Sequence, residues 1–205
     1  MSAAVAVPSN SRPSTPATKL TPTPLPSRAQ LALEQTPMWE LEKVFQRGVQ
    51  PRLEDLIGWE FRGVNHLPLN FLPVANLVGI KKFLKGFFLA EDGRVMGYNS
   101  PVKNNALDGR WIVAPKRFGF YEVAPVDPTA HDNKYLHAVL LNYGKGGNPA
   151  LDPSQVLRDY VVQVDANNPD LLLGKAYGAF GPLRIPTNFF ILERFRVGLT
   201  DYATR

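Results

Sequence analysis

Turn signals recur through residues 58–196 at short intervals: "EDG" at 91–93, "NNALDG" at 104–109, "APK" at 114–116, "NNPD" at 167–170 and "FGPL" at 180–183. Gly, Pro, Asn and Asp clusters so closely spaced leave room for strands and little else. The intervening runs read as strands at 58–65, 85–90, 94–99, 110–114, 118–124, 134–143, 156–165, 171–180 and 187–196. There is no internal repeat and no strand–helix alternation, which disfavours doubly wound folds. A single sheet of so many strands twists, and closure removes the edges that would template aggregation. The expected fold class is therefore mostly β, an antiparallel meander closed or rolled into a barrel. An eight-strand barrel has room inside for side chains or one small ligand.

Before the strands, "TPMWELEKVFQRG" places Met38, Leu41, Val44 and Phe45 at helical spacing between Thr36–Pro37 and Gly48, predicting a capping helix at 36–47. "QPRLEDLIG" predicts a further short helical turn ending at Gly58. Residues 1–35 read as a disordered Pro/Ser/Thr-rich tail, and 36–205 as a single barrel domain. Six prolines within residues 1–28 oppose both helix and strand.

The net charge of +5 raises the question of nucleic acid, but residues 1–28 supply three basic residues and no acid. The remainder carries 20 basic against 18 acidic residues, which is nearly balanced, so no nucleic-acid partner is expected. Absence of cysteine excludes thiol nucleophiles, Cys-ligated zinc and disulfides. His66, His131 and His137 lack metal-ligand spacing, and "YGKGGNP" lacks phosphate-loop spacing, so neither metal nor cofactor is expected. Ser100 and Ser154, the serines after residue 28, lie in no nucleophile-elbow context. No apolar run reaches the 18 residues of a membrane span, and the start lacks a secretory signal pattern, giving a cytoplasmic reading. An acid-free tail also fits a transit peptide, which would make the compartment a plastid.

Strand parity supplies candidate ligand contacts. In 156–165, Val156, Tyr160, Val162 and Val164 form the more apolar face, expected inward, with Arg158 on the same parity. In 134–143, Tyr135, His137, Val139, Leu141 and Tyr143 share the face expected to line the lumen. In 171–180, Leu172, Gly174, Ala176 and Gly178 form a small-residue face inviting close approach by a packed helix, with Lys175 and Tyr177 opposite. In 187–196 the parities hold Arg194 or Glu193, and a buried charge needs a partner. Lys175 is the expected partner of an inward Glu193; a ligand carboxylate is a candidate partner of an inward Arg194. "GIKKFLKGFF" at 79–88, drawn as a helix, sets Lys81, Lys82 and Lys85 against Leu77, Ile80, Phe83, Leu84 and Phe87, the pattern of a cationic portal on an anionic membrane surface.

"LEDLIGWEFRG", a short helix running into a Gly–aromatic strand, and the Arg-bearing "FFILERFR" resemble the two ends of calycin-type barrels, the lipocalins and fatty-acid-binding proteins. "AYGAFGPLRIPTNFFILER" is similar to the C-terminal strand pair of plastid lipid-associated fibrillins. A lipocalin start carries one residue between Gly and Trp, whereas Gly58 directly precedes Trp59 here. The resemblance implies an interior site for an apolar or amphipathic small molecule, and a last-strand Arg194 packed over the first-strand Trp59. The expected function is non-enzymatic ligand binding through Tyr135, His137, Arg158, Tyr160, Tyr177 and Arg194. A cofactor-free isomerase or cyclase using His137 and Tyr135, or a peripheral membrane-associated structural protein, is the alternative.

Overall fold

The computed structural model describes residues 25–66, 81–103 and 105–198. Eight strands, β1 (Trp59–His66), β2 (Lys82–Leu89), β3 (Val95–Pro101), β4 (Phe118–Pro125), β5 (Val139–Asn142), β6 (Leu157–Asp165), β7 (Asn168–Phe180) and β8 (Leu183–Val197), follow one another around a closed barrel. Every neighbouring pair is antiparallel, and β1 closes against β8 from Trp59↔Val197 to His66↔Phe189. The expected meander is thus present and closed. The run at 110–114 forms no strand; only Val113 bridges to Val102, and the chain from β3 to β4 instead lies over the outer face of β1–β4.

Three helices precede the barrel: α1 (Arg28–Gln35), α2 (Met38–Arg47) and α3 (Leu53–Leu56). Residues 28–35, expected to belong to the tail, are helical because the prolines stop at Pro26 and the Ser27 hydroxyl caps Gln30 N at 3.1 Å. The Ser27 amide donates to Glu193 Oε2 at 3.1 Å, tying the helix to β8. Residues 1–24 of that expected tail lie outside the described residues.

Helix α2 buries Leu41 and Phe45 completely, with Val44 beside them, an i, i+3, i+4 stripe. That stripe packs on the outside of the barrel, against Tyr160, Val162, Leu171, Leu173, Phe189 and Ile191 of β6–β8. Gly48 follows α2 in extended backbone, and glycine is needed there because a Cβ would meet Val162 Cγ2 at 2.5 Å. The short α3, in contrast, inserts Leu56, with Leu53 and Ile57, into the interior cluster and plugs one barrel end. Gly58 then turns the chain into β1 at φ 79°, a conformation glycine adopts without strain.

With α2 outside and a second apolar layer inside, the wall of β6–β8 is buried on both faces. Inward residues are Val161 on β6, Leu172 and Ala176 on β7, and Phe190 and Leu192 on β8. The inward face of β6 is therefore the opposite of the expected one: Tyr160 and Val162 point out beneath α2, and Asp159 points in. The more apolar face went to the helix, not to the lumen. The small-residue face of β7 also points inward, and what approaches it is a ring: a Cβ on Gly174 would meet Phe190 Cζ at 2.0 Å.

Candidate functional site

At the barrel end opposite α3, a cavity of about 450 Å³ opens between the ends of β1 and β3 and the starts of β2, β4, β6 and β8. Phe83, Phe118, Phe190, Leu157, Pro101 and Ala176 give it apolar walls. Asn65, Asn188, Thr187 and Ser154 add polar groups to the lining. A pocket of this size, mostly apolar with a few convergent polar groups, has the dimensions of a small-molecule site.

Its polar pole is a buried ion pair. Lys85, inward on β2 between Phe83 and Phe87, is 2% exposed and Asp159 is 4% exposed. Lys85 Nζ lies 3.1 Å from Asp159 Oδ2, 3.1 Å from Asn99 Oδ1 and 2.5 Å from the Tyr143 hydroxyl. Tyr143 donates in turn to Asp159 Oδ2 at 3.1 Å. Asn99 Nδ2 donates to Gly119 O at 2.8 Å and lies 3.3 Å from the Tyr143 hydroxyl. The ammonium also faces the rings of Tyr121, Tyr143, Phe190 and Phe83 at 4.8, 5.1, 5.2 and 5.5 Å. Burial pulls the Lys85 amine below its ordinary range while Asp159 opposes that pull. The Tyr143 phenol is pushed well above its ordinary value by burial and then by the Asp159 charge, so it remains a hydrogen-bond donor.

Most residues expected to contact ligand lie elsewhere. Tyr135 and His137 precede β5 and sit outside the wall: His137 Nε2 lies 3.1 Å from Phe45 O of α2, and Tyr135 packs edge-on against the Phe45 ring at 5.0 Å. They form no acid–base pair in the cavity. The remainder of that face, Val139, Leu141 and Tyr143, does point inward as expected. Tyr160 and Tyr177 belong to the same outer cluster, with Tyr177 OH 2.7 Å from Tyr135 OH. Lys175 does not pair with Glu193; its amine contacts Glu42 of α2 at 2.6 Å and Tyr135 OH at 2.9 Å. Glu193 faces outward and pairs with its cross-strand neighbour Arg62 at 2.7 Å. Arg158 binds Asp132 at 3.0 Å, and Arg184 shares that carboxylate.

Arg194 is inward, at the end plugged by α3. Its guanidinium carbon stands 4.6 Å over the Trp59 ring and Nε contacts Asp170 at 2.5 Å. This is the packing that the calycin resemblance implied, and it removes Arg194 from the cavity lining.

The cationic portal also fails on geometry. Lys82–Leu89 is a strand, so residues three apart point to opposite sides: Lys85 goes inward and Lys82 outward. Lys82 is 1% exposed and fastens the outer loop, with Nζ 2.5 Å from Asn105 Oδ1, 3.1 Å from Ala106 O and 3.7 Å over the Trp111 ring. Lys81 is half-buried, and the Leu77 and Ile80 of the expected helix lie outside the described residues. Neither Lys82 nor Lys85 presents charge to a surface.

Family models, curated proteins and solved structures contain no match to this chain. The architecture, a closed antiparallel eight-strand barrel, is compatible with a calycin-like fold. No helix among the described residues is long and apolar enough to cross a membrane.

Lys85 and Asp159 are the cavity pair that sequence reasoning missed: Lys85 was expected on a surface portal and Asp159 opposite the inward face of 156–165. Each had a detectable signal: a charged residue flanked at i±2 by apolar ones, Phe83 and Phe87 about Lys85, Leu157 and Val161 about Asp159. A period of two shows that such a residue shares a face with its neighbours at i±2, but not which face is the lumen.

Proposed function

We propose that this protein is a calycin-like carrier or sensor that binds one small amphipathic molecule in the open end of its barrel, without catalysing a reaction. The observation that carries this reading is the 450 Å³ cavity, with phenylalanine and leucine walls and a buried, hydrogen-bonded ion pair at its polar pole. The apolar part of the ligand lies against Phe83, Phe118, Phe190 and Leu157, and its polar end meets the Lys85–Asp159–Tyr143 cluster. Rigid placement favours binding, because all three groups sit on or beside barrel strands and are held by mutual hydrogen bonds.

Ala176 offers a test, since it lines the cavity and is 6% exposed. Ala176→Phe fills the cavity with a ring beside its cross-strand neighbour Asp159 and changes neither charge of the ion pair. Binding of a decyl-chain amphiphile, followed by titration calorimetry and native mass spectrometry, should weaken at least tenfold with the melting temperature within a few degrees of wild type. Equal binding by the folded variant, or no amphiphile binding by wild type, would sink the reading.

A further inference from the structure

Resting on that binding reading, we infer that the polar end of the ligand is neutral and donates a hydrogen bond: an alcohol or a phenol, and not a carboxylate.

Three features of the cluster lead there. Lys85 Nζ has three oxygens within 3.1 Å, as many as the ammonium has protons, so no N–H is left to greet a ligand anion. As a salt bridge, Lys85 and Asp159 together carry no net charge. Beside Asp159 a ligand carboxylate would be repelled and would find only the Ser154 hydroxyl as a donor, while a ligand ammonium would be repelled by Lys85. Burying either charge unpaired is very costly.

The third feature is what remains unused. Asp159 Oδ2 accepts from Lys85 and Tyr143, while Oδ1 has no partner among the described residues and stays within reach of the cavity that Asp159 lines. Ser154 Oγ, also in the cavity lining, is buried without a partner among the described residues. The free groups at the pole are thus a carboxylate oxygen, which only accepts, and a hydroxyl, which does either. A hydroxyl-bearing ligand satisfies the carboxylate oxygen by donating to it. An ether or ester of the same shape leaves it bare, and discrimination against a partner lacking the needed donor is large in buried sites.

Decisive probes share one chain length: 1-decanol, decanoate and decyl methyl ether, each titrated into the full chain at pH 7.5. The alcohol should bind at least tenfold more tightly than either of the others. Asp159→Asn leaves Lys85 with an unbalanced charge, so decanoate should gain at least tenfold relative to the alcohol. If that variant does not fold, the paired replacement Lys85→Met/Asp159→Leu leaves no charge unpaired and should bring alcohol and ether within about twofold of each other. Decanoate binding wild type as tightly as decanol, or ether matching alcohol in wild type, would overturn the assignment while leaving the cavity as a binding site. Failure of all three probes would overturn the binding reading and this inference together.

Discussion

Removing one member of the buried Lys85–Asp159 pair should destabilise the barrel far more than removing both. Lys85→Met keeps an apolar stem among the four rings but strips Asp159 Oδ2 and Asn99 Oδ1 of a donor. Each buried acceptor left bare costs about 1–3 kcal/mol, and a broken buried ion pair typically about 3–5 kcal/mol. An upper bound on the charge penalty comes from proton uptake, since neutralising a carboxylate at pH 7 costs about 4 kcal/mol. We therefore expect a loss of about 3–5 kcal/mol for Lys85→Met, and for a domain of this size a fall in Tm of roughly 6–20 °C. Asp159→Leu should be similarly costly, because it leaves the ammonium buried without its counter-ion. Lys85→Met/Asp159→Leu removes both charges and should recover most of the loss, giving a favourable coupling of roughly 3 kcal/mol or more in the double-mutant cycle. Urea unfolding of the four proteins at pH 7, followed by far-ultraviolet circular dichroism, measures that coupling. The Lys85→Met deficit should also shrink on acidification, since the stranded carboxylate escapes by taking up a proton. Additive single losses, or a double variant no more stable than the weaker single, would refute the description of this pair as a mutually dependent buried unit.

The Arg194 lid and the half-buried Glu34 give two further tests. Arg194→Met removes the stack on Trp59 and the contact with a half-exposed Asp170, and should lower stability by about 1–2 kcal/mol and shift tryptophan emission. Decanol affinity at the opposite barrel end should be unchanged, and a selective loss of affinity in a fully stable variant would contradict the structural role. Burial raises the Glu34 carboxyl to about 7, partly offset by a hydrogen bond from Gln30. The folded state therefore holds this proton more tightly than the unfolded one between about pH 4.5 and 7, and the associated stability is lost as pH rises through 7. Glu34→Gln should stabilise by about 1 kcal/mol at pH 8, after allowance for partial exposure, and change little at pH 4.5. An equal gain at both pH values in thermal melts would show that the carboxyl charge is not the cause.

Legible in the sequence were the strand-rich punctuation, a meander closed or rolled into a barrel, and the α2 stripe of Leu41, Val44 and Phe45; the Arg194–Trp59 contact was implied by the barrel resemblance, beside the alternative of a ligand anchor. Each rests on local chemistry: turn residues, helical spacing, or a pattern at the chain ends that resembles known barrels. Which face of each strand meets the lumen was settled by packing between distant elements. On β6 the alternation of Tyr160 and Val162 with Asp159 and Val161 was legible, but its orientation depended on α2, a helix over 100 residues earlier, covering the outside. Once that helix claims the more apolar face, Asp159 is forced inward, and it is tolerable there because β2 brings Lys85 to within 3.1 Å. Lys85 carried the same ambiguity, since helical and strand periods place it beside Lys82 or opposite it. Two charged residues 74 positions apart become one neutral unit by barrel closure alone, a pairing across the lumen that no short-range pattern encodes.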